Sequence, residues 1–145
     1  MGDPSLPAWD LVVCTVGRTA EPARLLASLA DQTHHAFRVI LVDQNEDERL
    51  LPMVEQHAEL DVLRLTSTLG LSRARNAALP HLRAPLVAFP DDDCTYPPDL
   101  LERAGRRFAE EPALEAITGR DVDPCLLYTS PSPRDLSTSR MPSSA

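Results

Sequence analysis

Residues 11–16 read Leu-Val-Val-Cys-Thr-Val, and this short apolar run decides the fold of the chain. Its composition is typical of a strand that is buried on both faces of a parallel sheet. A helical pattern follows directly: Thr19 can cap its first turn, and its apolar residues recur on one face. Those residues are Leu25, Leu26 and Leu29. A buried strand followed by an amphipathic helix predicts the first half of a β-α-β unit.

The same alternation of strands and helices continues along the chain. Further strands are predicted over Phe37–Val42, Asp61–Leu65, Leu86–Phe89 and Ala113–Thr118. Further helices are predicted over about Asp47–His57, over Leu71–Leu79 and from Pro97 to about Glu110. Pro52 leaves the start of the first of these helices open. Strands that alternate with helices imply an α/β fold, with a mostly parallel sheet covered by helices on both faces.

The composition excludes several kinds of chemistry. The chain has 145 residues and a formal charge of −8, and all 14 of its basic residues are Arg because it contains no Lys. Lysine Schiff bases, a phosphate-loop Lys and a Lys general base are therefore excluded. The acidic balance argues against broad nucleic-acid binding, which usually needs a basic face, although local Arg clusters can still bind phosphate.

Cysteine usage and the absence of targeting signals indicate a cytoplasmic protein. Cys14, Cys94 and Cys125 are too widely spaced for a metal knuckle, and their odd number argues against a disulfide framework. The first ten residues lack the basic and apolar regions of a signal peptide, and no apolar run approaches the roughly 20 residues of a membrane span. We expect cytoplasmic localisation, or at most attachment at the cytoplasmic face of a membrane.

Residues 125–145 differ from the rest of the chain. They contain six Ser in 21 residues, whereas residues 1–124 contain four, and they show no apolar periodicity. A disordered Ser/Pro linker is the ordinary explanation. Their reverse translation, however, resembles a sequencing adapter over Cys125–Asp135 and again over Ser139–Ala145. We therefore expect a non-native, disordered tail, which the codons of the parent nucleotide read would verify.

Polar residues follow three of the predicted strands, at the edge where ligands bind in open α/β sheets. Residues 15–18 follow the first strand, Asp43 and Gln44 follow the second, and Asp91–Asp93 follow the fourth. Adjacent carboxylates need a counter-charge, since two like charges about 4 Å apart cost roughly 1 kcal/mol even in water.

A divalent cation is the natural counter-charge for the three aspartates. Hard oxygen ligands suit Mg²⁺ or Mn²⁺, and Mg²⁺ often takes one or two carboxylates together with substrate phosphates. If the strand continued through them, Asp91 and Asp93 would share one side and Asp92 would face the other. A solvated acidic turn is the alternative.

The segment Gly70–Asn76 begins the third predicted helix and has the features of a phosphate site. Free backbone N–H groups, a Gly that permits close approach and two Arg side chains can together hold an anion. An ordinary amphipathic helix with exposed Arg residues is the alternative. A cationic helix start and an acidic cluster at one sheet edge together suggest a metal–diphosphate site.

Five segments of the chain resemble, in order and spacing, the GT-A fold glycosyltransferases of family 2. They are Val12–Arg18, Ser28–Thr33, Val39–Asn45, Gly70–Asn76 and Ala88–Cys94. The resemblance covers about residues 10–121 and implies the Rossmann-like, nucleotide-sugar-binding half of a GT-A domain, without its acceptor half. It also implies metal-dependent, inverting transfer of a sugar from a nucleotide-sugar donor to a glycan, lipid or small-molecule acceptor, with Mg²⁺ or Mn²⁺ as cofactor.

The resemblance also implies roles for individual residues. The nucleoside pocket would be lined by Thr15, Val16, Gly17 and Arg18. Asp43 would stand in the acidic pair that recognises the base, and Gln44 takes the second place of that pair, where many uridine-nucleotide users carry Asp. Because an amide both donates and accepts hydrogen bonds, the identity of the base stays open.

The remaining implied roles concern the diphosphate and the metal. Gly70, Arg75 and Asn76 match the segment that flanks the ribose and diphosphate. Asp91 and Asp93 match the outer residues of the DXD motif and would bind the metal, whereas Asp92 would hold ribose or donor sugar. The metal and Arg75 would stabilise the departing nucleoside diphosphate.

We expect an N-terminal tail over residues 1–9, a donor-binding half over 10–124 and the non-native tail over 125–145. The family's catalytic base, an Asp or Glu of the acceptor half, is expected downstream. The chain as written is therefore expected to be inactive, and either to bind nucleotide weakly or to misfold. Trp9 is predicted to be a packing residue. Three alternatives are a non-catalytic nucleotide-binding fragment, a nucleotidyltransferase and a receiver domain, and the last two lack a required Lys.

Overall fold

The computed structural model describes residues 3–120 and 122, so the segment 125–145 lies outside the described residues. The strands are β1 (Trp9–Thr15), β2 (Phe37–Asp43), β3 (Val62–Thr66) and β4 (Leu86–Ala88). The helices are α1 (Ala20–Ala30), α2 (Leu51–Gln56), α3 (Leu71–Ala78) and α4 (Leu100–Glu110), and a 3₁₀ turn covers Leu79–His81. The predicted α/β class is confirmed.

The four strands form one parallel sheet in the order β3-β2-β1-β4. Thr15 at the end of β1 lies opposite Asp43, and Asp43 lies opposite Thr66. The chain moves outward from β1 to β3 and then crosses back to place β4 on the other side of β1. In open α/β sheets, ligands bind in the crevice outside the carboxyl ends of the strands where the order reverses, which here lies at the ends of β1 and β4.

Apolar side chains cover both faces of the sheet, as predicted. Alternate residues of β1 belong to different clusters: Leu11 and Val13 join one, and Val12 joins the other. The first cluster receives Leu25, Leu26 and Leu29 from α1, Met53 from α2 and Leu101 from α4. The second receives Ala74 and Ala78 from α3. No helix in the described part of the chain combines the length and the apolar character that crossing a lipid bilayer requires.

Trp9 is a buried packing residue, as predicted, and it begins β1 rather than preceding it. Its ring meets Phe108 of α4 edge to face, with 6.0 Å between the ring centroids. Its indole Nε1 is the one buried side-chain nitrogen or oxygen without a hydrogen-bond partner among the described residues. Leu6 is buried as well, so part of the predicted N-terminal tail packs on the domain.

A buried ion pair fixes the amino end of the sheet. Asp10 accepts hydrogen bonds from the backbone N–H groups of Arg83 at 2.6 Å and Ala84 at 2.8 Å. Its Oδ1 also lies 3.2 Å from Nη2 of Arg38. Burial by itself raises the pKa of Asp10, but the two backbone N–H groups and Arg38 outweigh burial, so the pKa lies below its usual value. The pair ties β1 and β2 to the loop that leads into β4.

The predicted fifth strand, Ala113–Thr118, is wrong. A turn closed by a hydrogen bond from the Leu114 N–H to the Glu111 carbonyl, 2.9 Å long, follows α4, and residues 113–118 join no sheet in the described structure. Ile117 is 42% exposed. Strand stability comes from pairing and burial rather than from intrinsic propensity, and this segment is mostly exposed and lies outside the described sheet.

The helix predicted over Asp47–His57 is shorter than expected. It begins at Leu51, because Asp47 pairs with Arg49 in a preceding turn. Pro52 lies in the first turn of the helix, where its missing N–H costs no hydrogen bond. Thr19 occupies the N-cap position of α1 without a capping hydrogen bond from its side chain. The element exists in each case, and the error lies in its boundary or cap.

Gly105 of α4 allows a test of how closely α4 packs on the sheet. A Cβ added there would lie 3.6 Å from Nε1 of Trp9 and 4.0 Å from Cβ of Leu6, which is ordinary contact. We expect Gly105→Ala to raise the free energy of unfolding by about 0.5–1 kcal/mol, because Ala favours the helix and fits. Gly105→Leu should lower it by about 1–3 kcal/mol through overpacking. Urea unfolding followed by Trp9 fluorescence measures both, and equal destabilisation by both variants would contradict the packing described.

Candidate functional site

The β1–α1 loop and the turn after β4 meet across the crevice between β1 and β4. Thr15 Oγ1 donates a 2.8 Å hydrogen bond to Oδ2 of Asp92. Arg18 Nη1 donates a 2.8 Å hydrogen bond to Oδ1 of Asp92 and lies 3.3 Å from Oδ2 of Asp93. The negative charge of Asp92 raises the pKa of the Arg18 guanidinium. These contacts bring together four of the predicted site residues.

The three aspartates lie in a turn and not on the strand. β4 ends at Ala88, and the Cys94 N–H donates to the Asp91 carbonyl at 3.2 Å, which closes the turn. The strand assumed in the sequence analysis does not reach the aspartates, yet Asp91 and Asp93 are exposed while Asp92 is largely covered, and Arg18 contacts both Asp92 and Asp93. The side chain of Asp92 is 16% exposed and that of Asp93 is 55% exposed, so Asp92 faces the protein.

The chemistry of Asp91 and Asp93 fits a hard divalent cation. Both side chains are exposed carboxylates at the edge of the crevice. Within residues 3–120 and 122, no three His, Cys, Asp or Glu side chains come together as a metal-ligand group. A pair of carboxylates suits a cation such as Mg²⁺ that completes its coordination with water and substrate phosphates. The assignment of these two residues to a metal stays a prediction.

Asp43 is completely buried at the end of β2, and its carboxylate is fully hydrogen-bonded. Oδ2 accepts from Nε and Nη2 of Arg64 at 3.0 and 2.8 Å. Oδ1 accepts from the backbone N–H and the Nδ2 of Asn45 at 2.9 and 2.7 Å. A carboxylate has about four lone-pair directions, and all four are used here. A nucleobase N–H can bond to Asp43 only if one of these bonds opens, so the predicted role in base recognition stays a prediction.

Asn45 links Asp43 to the β1–α1 loop. Its Oδ1 accepts a 2.7 Å hydrogen bond from the backbone N–H of Gly17. Gly17 has φ +70°, a left-handed conformation that a residue with a Cβ adopts at a cost. The chain of contacts from Arg64 through Asp43 and Asn45 to Gly17 thus fixes the loop that carries Arg18.

Asn45 and Arg64 were not predicted as site residues, although the sequence contains a signal for each. Asn45 belongs to the Val39–Asn45 segment on which the family resemblance rests. Arg64 interrupts an apolar strand between Leu63 and Leu65. A charged residue inside a short strand usually requires a partner, because burying an unpaired charge is costly.

Gln44 joins the end of β2 to the start of α3. Its backbone N–H donates to the Thr15 carbonyl at 3.0 Å, and its Oε1 accepts from the Gly70 N–H at 2.9 Å. Gly70 has φ +126° at the N-cap of α3, a conformation that glycine adopts without strain. Because the side-chain oxygen is engaged, Gln44 has its amide N–H groups left to donate, and these have no partner among the described residues.

The other residues predicted on α3 lie around the same edge. The Arg75 guanidinium lies 5.4 Å from the centroid of the Phe89 ring, just beyond β4. Burial raises the pKa of Cys14 at the end of β1, while the charges of Arg75 and Asp92 also act on it, so both lie within electrostatic reach. Val16 and Asn76 are exposed, and the structure connects neither to the other site residues by a hydrogen bond.

A sequence model described as glycosyl transferase family 2 matches residues 10–139 of the chain. The match continues past Asp121, where the resemblance noted in the sequence ends, and includes part of the segment 125–145. The chain is also 28% identical over 108 residues to an uncharacterised glycosyltransferase of Haemophilus influenzae. That alignment covers 74% of this chain and 37% of the relative.

Solved glycosyltransferases share the fold. Residues 1–349 of TarS from S. aureus, in complex with UDP-GlcNAc, match with a TM-score of 0.68 and 24% identity, over 83% of this chain and 38% of that 1–349 chain. The mannosyltransferase PcManGT of Pyrobaculum calidifontis, in complex with GDP-Man and Mn²⁺, matches with a TM-score of 0.62 and 22% identity, over 72% of this chain and 34% of that protein.

The chain therefore spans between a third and two fifths of the length of these relatives. The structural matches support the predicted GT-A, Rossmann-like fold. Because the family match extends over most of the sequence, the chain belongs to glycosyl transferase family 2.

Proposed function

We propose that residues 10–124 form the donor-binding part of a metal-dependent, inverting glycosyltransferase that uses a nucleotide-diphosphate sugar. The observation that carries this proposal is the meeting of Thr15, Arg18 and the Asp91–Asp93 turn at the point where the strand order reverses. Ligands of open α/β sheets bind in this crevice. Family membership supports sugar transfer, and nucleotide sugars are named in the complexes of both structural relatives.

In this proposal the nucleoside lies against the β1–α1 loop, with Gly17 and Arg18 fixed by Asn45 and Asp92. Gln44, whose oxygen is held by Gly70, donates from its amide to a carbonyl oxygen of the base. Uracil and guanine both offer such an oxygen, so the proposal covers the UDP and GDP donors named for TarS and PcManGT.

The diphosphate lies between α3 and the aspartate turn. Arg75 reaches this edge through its contact with Phe89 and offers a planar fork of donors to phosphate oxygens. Asp91 and Asp93 would hold Mg²⁺ or Mn²⁺, which when bound neutralises charge on the departing nucleoside diphosphate. Asp92 is held by Thr15 and Arg18 through one bond to each oxygen, which leaves acceptor directions for ribose or donor sugar.

The acceptor is a glycan, a lipid or a small metabolite, and the sugar is transferred with inversion by a base that none of the described acidic residues supplies. Glu110, Glu111 and Glu115 end or follow α4, which is too early in the chain for the base that the family resemblance places well beyond the aspartate turn. We propose that residues 3–120 and 122 bind donor without transferring sugar by themselves. The cytoplasmic localisation expected from the sequence is part of this proposal.

The metal assignment is tested by Asp93→Ala. We expect the variant to lose Mn²⁺-stimulated binding of UDP or GDP by about tenfold or more, because a direct ligand should cost at least as much as the outer-shell partners do. Calorimetry with each nucleotide, with and without Mn²⁺, measures the effect. Asp31→Ala removes an equally exposed carboxylate at the far end of α1 and should change nothing. An Asp93→Ala protein that binds like wild type would falsify the metal role.

The organising role of Asp43 is tested against a matched ion pair at the other end of the sheet. Asp43 with Arg64 and Asp10 with Arg38 are both buried carboxylate–Arg pairs. Asp43→Asn and Asp10→Asn should each lower the free energy of unfolding by about 3 kcal/mol, because each leaves buried donors unpaired.

The two variants should differ in nucleotide binding. Only Asp43→Asn disturbs Asn45 and Gly17, so only this variant should bind UDP or GDP more weakly than wild type when the folded fraction is matched. Calorimetry at low temperature, with the folded fraction set by circular dichroism, gives the comparison. Equal nucleotide affinities for the two variants would show that Asp43 does not organise the site.

A further inference from the structure

Arg18 has two contacts in the aspartate turn, and they differ in kind. Its bond to Asp92 is 2.8 Å long, and Asp92 is mostly shielded and held a second time by Thr15. Its contact with Asp93 is longer, 3.3 Å, and the Asp93 side chain is 55% exposed. Both contacts use Nη1 of Arg18, so a guanidinium that turns away from Asp93 also leaves Asp92.

The second contact involves Asp93, one of the two carboxylates proposed to bind the metal. A guanidinium 3.3 Å from Oδ2 of Asp93 neutralises part of the charge that would attract a cation, and it occupies a lone-pair direction that a cation would use. The exposed contact with Asp93 contributes little stability, and bonds to diphosphate oxygens would replace the bond to Asp92. Arg18 is itself 45% exposed and follows Gly17, so its side chain has room to turn toward the crevice.

We propose that Arg18 is a positioning residue that couples cation binding to nucleotide binding, by neutralising Asp93 until a nucleoside diphosphate draws its guanidinium away. This inference rests on the donor-binding function proposed above. A diphosphate offers oxygens that suit the guanidinium fork better than one exposed carboxylate does. Once Arg18 turns to the diphosphate, Asp93 is free to bind the cation. By thermodynamic linkage, the factor by which nucleotide favours the cation equals the factor by which the cation favours nucleotide.

The proposal predicts effects of opposite sign from one substitution. In Arg18→Gln, Mn²⁺ without nucleotide should bind the full chain about two- to fivefold more tightly, the range expected when an exposed pair is removed. With Mn²⁺ at saturation, UDP or GDP should bind about tenfold more weakly, because a charge-assisted hydrogen bond is lost. The free-Mn²⁺ signal in electron paramagnetic resonance measures the first affinity, and calorimetry measures the second.

Two further variants separate the proposal from simpler explanations. Arg24→Gln removes one positive charge from an exposed position on α1 and should leave both affinities unchanged. Arg18→Lys keeps the charge beside Asp93 and should keep the weak Mn²⁺ affinity of wild type, while binding nucleotide less well because it lacks the fork. Thermal unfolding of each variant establishes that it is folded at the temperature of the titration.

The outcomes distinguish failure of this inference from failure of the proposed function. If wild type binds Mn²⁺ and nucleotide but Arg18→Gln binds Mn²⁺ no more tightly, Arg18 only holds the two loops together. The inference is then overturned. If Arg24→Gln tightens Mn²⁺ binding equally, general electrostatics explains the effect and the inference is again overturned. If wild type binds no Mn²⁺ with or without nucleotide, the metal assignment falls and the inference falls with it.

Discussion

The burial of one ionised carboxylate, that of Asp43, is the constraint on which the site depends. A buried charge must be paired and hydrogen-bonded, and Arg64 and Asn45 together occupy all four acceptor directions of Asp43. Asn45 can satisfy Asp43 only from one orientation, and in that orientation its own oxygen receives the Gly17 N–H. The β1–α1 loop is therefore positioned by the requirement to neutralise a group at the end of the next strand.

The reversal of strand order brings the β1–α1 loop, which Asp43 positions, next to the turn that follows β4. β4 pairs with β1 over only three residues, Leu86 to Ala88, and then leaves the sheet. The three aspartates that follow belong to a free turn, which Thr15 and Arg18 draw against the end of β1. At the opposite end of the same strands, Asp10 and Arg38 make a comparable ion pair that holds the loop before β4. The Asp10–Arg38 pair fixes where β4 enters the sheet. The Asp43–Arg64 pair organises the β1–α1 loop, which contacts the turn after β4.

The sequence predicts this fold as far as its signals are local. The apolar run of β1 and the spacing of Leu25, Leu26 and Leu29 are sufficient to place a strand and a helix. In each segment the pattern of apolar residues indicates which of its side chains are buried. Ala113–Thr118 has the same apolar character but forms no strand here, since a strand also needs a neighbour that local sequence does not reveal. The order of residues at the sheet edge was predictable from topology. The pairing of Arg18 with Asp92, residues 74 positions apart, was not, because it depends on the exact path of two loops.

Charge balance in the crevice explains why a cation and a nucleotide would have to bind together in the proposed function. Asp91, Asp92 and Asp93 outnumber the two Arg residues that reach this edge, Arg18 and Arg75, so the site by itself is negative. A negative site repels a diphosphate, whereas a divalent cation reverses the sign and makes the same site attractive. The chain has no Lys to supply that charge from elsewhere, and its overall charge of −8 does not favour an anion. In the proposed function such a site would accept a nucleoside diphosphate as a metal complex. Arg18, which contacts both Asp92 and Asp93, lies where the binding of the cation could depend on the binding of the nucleotide.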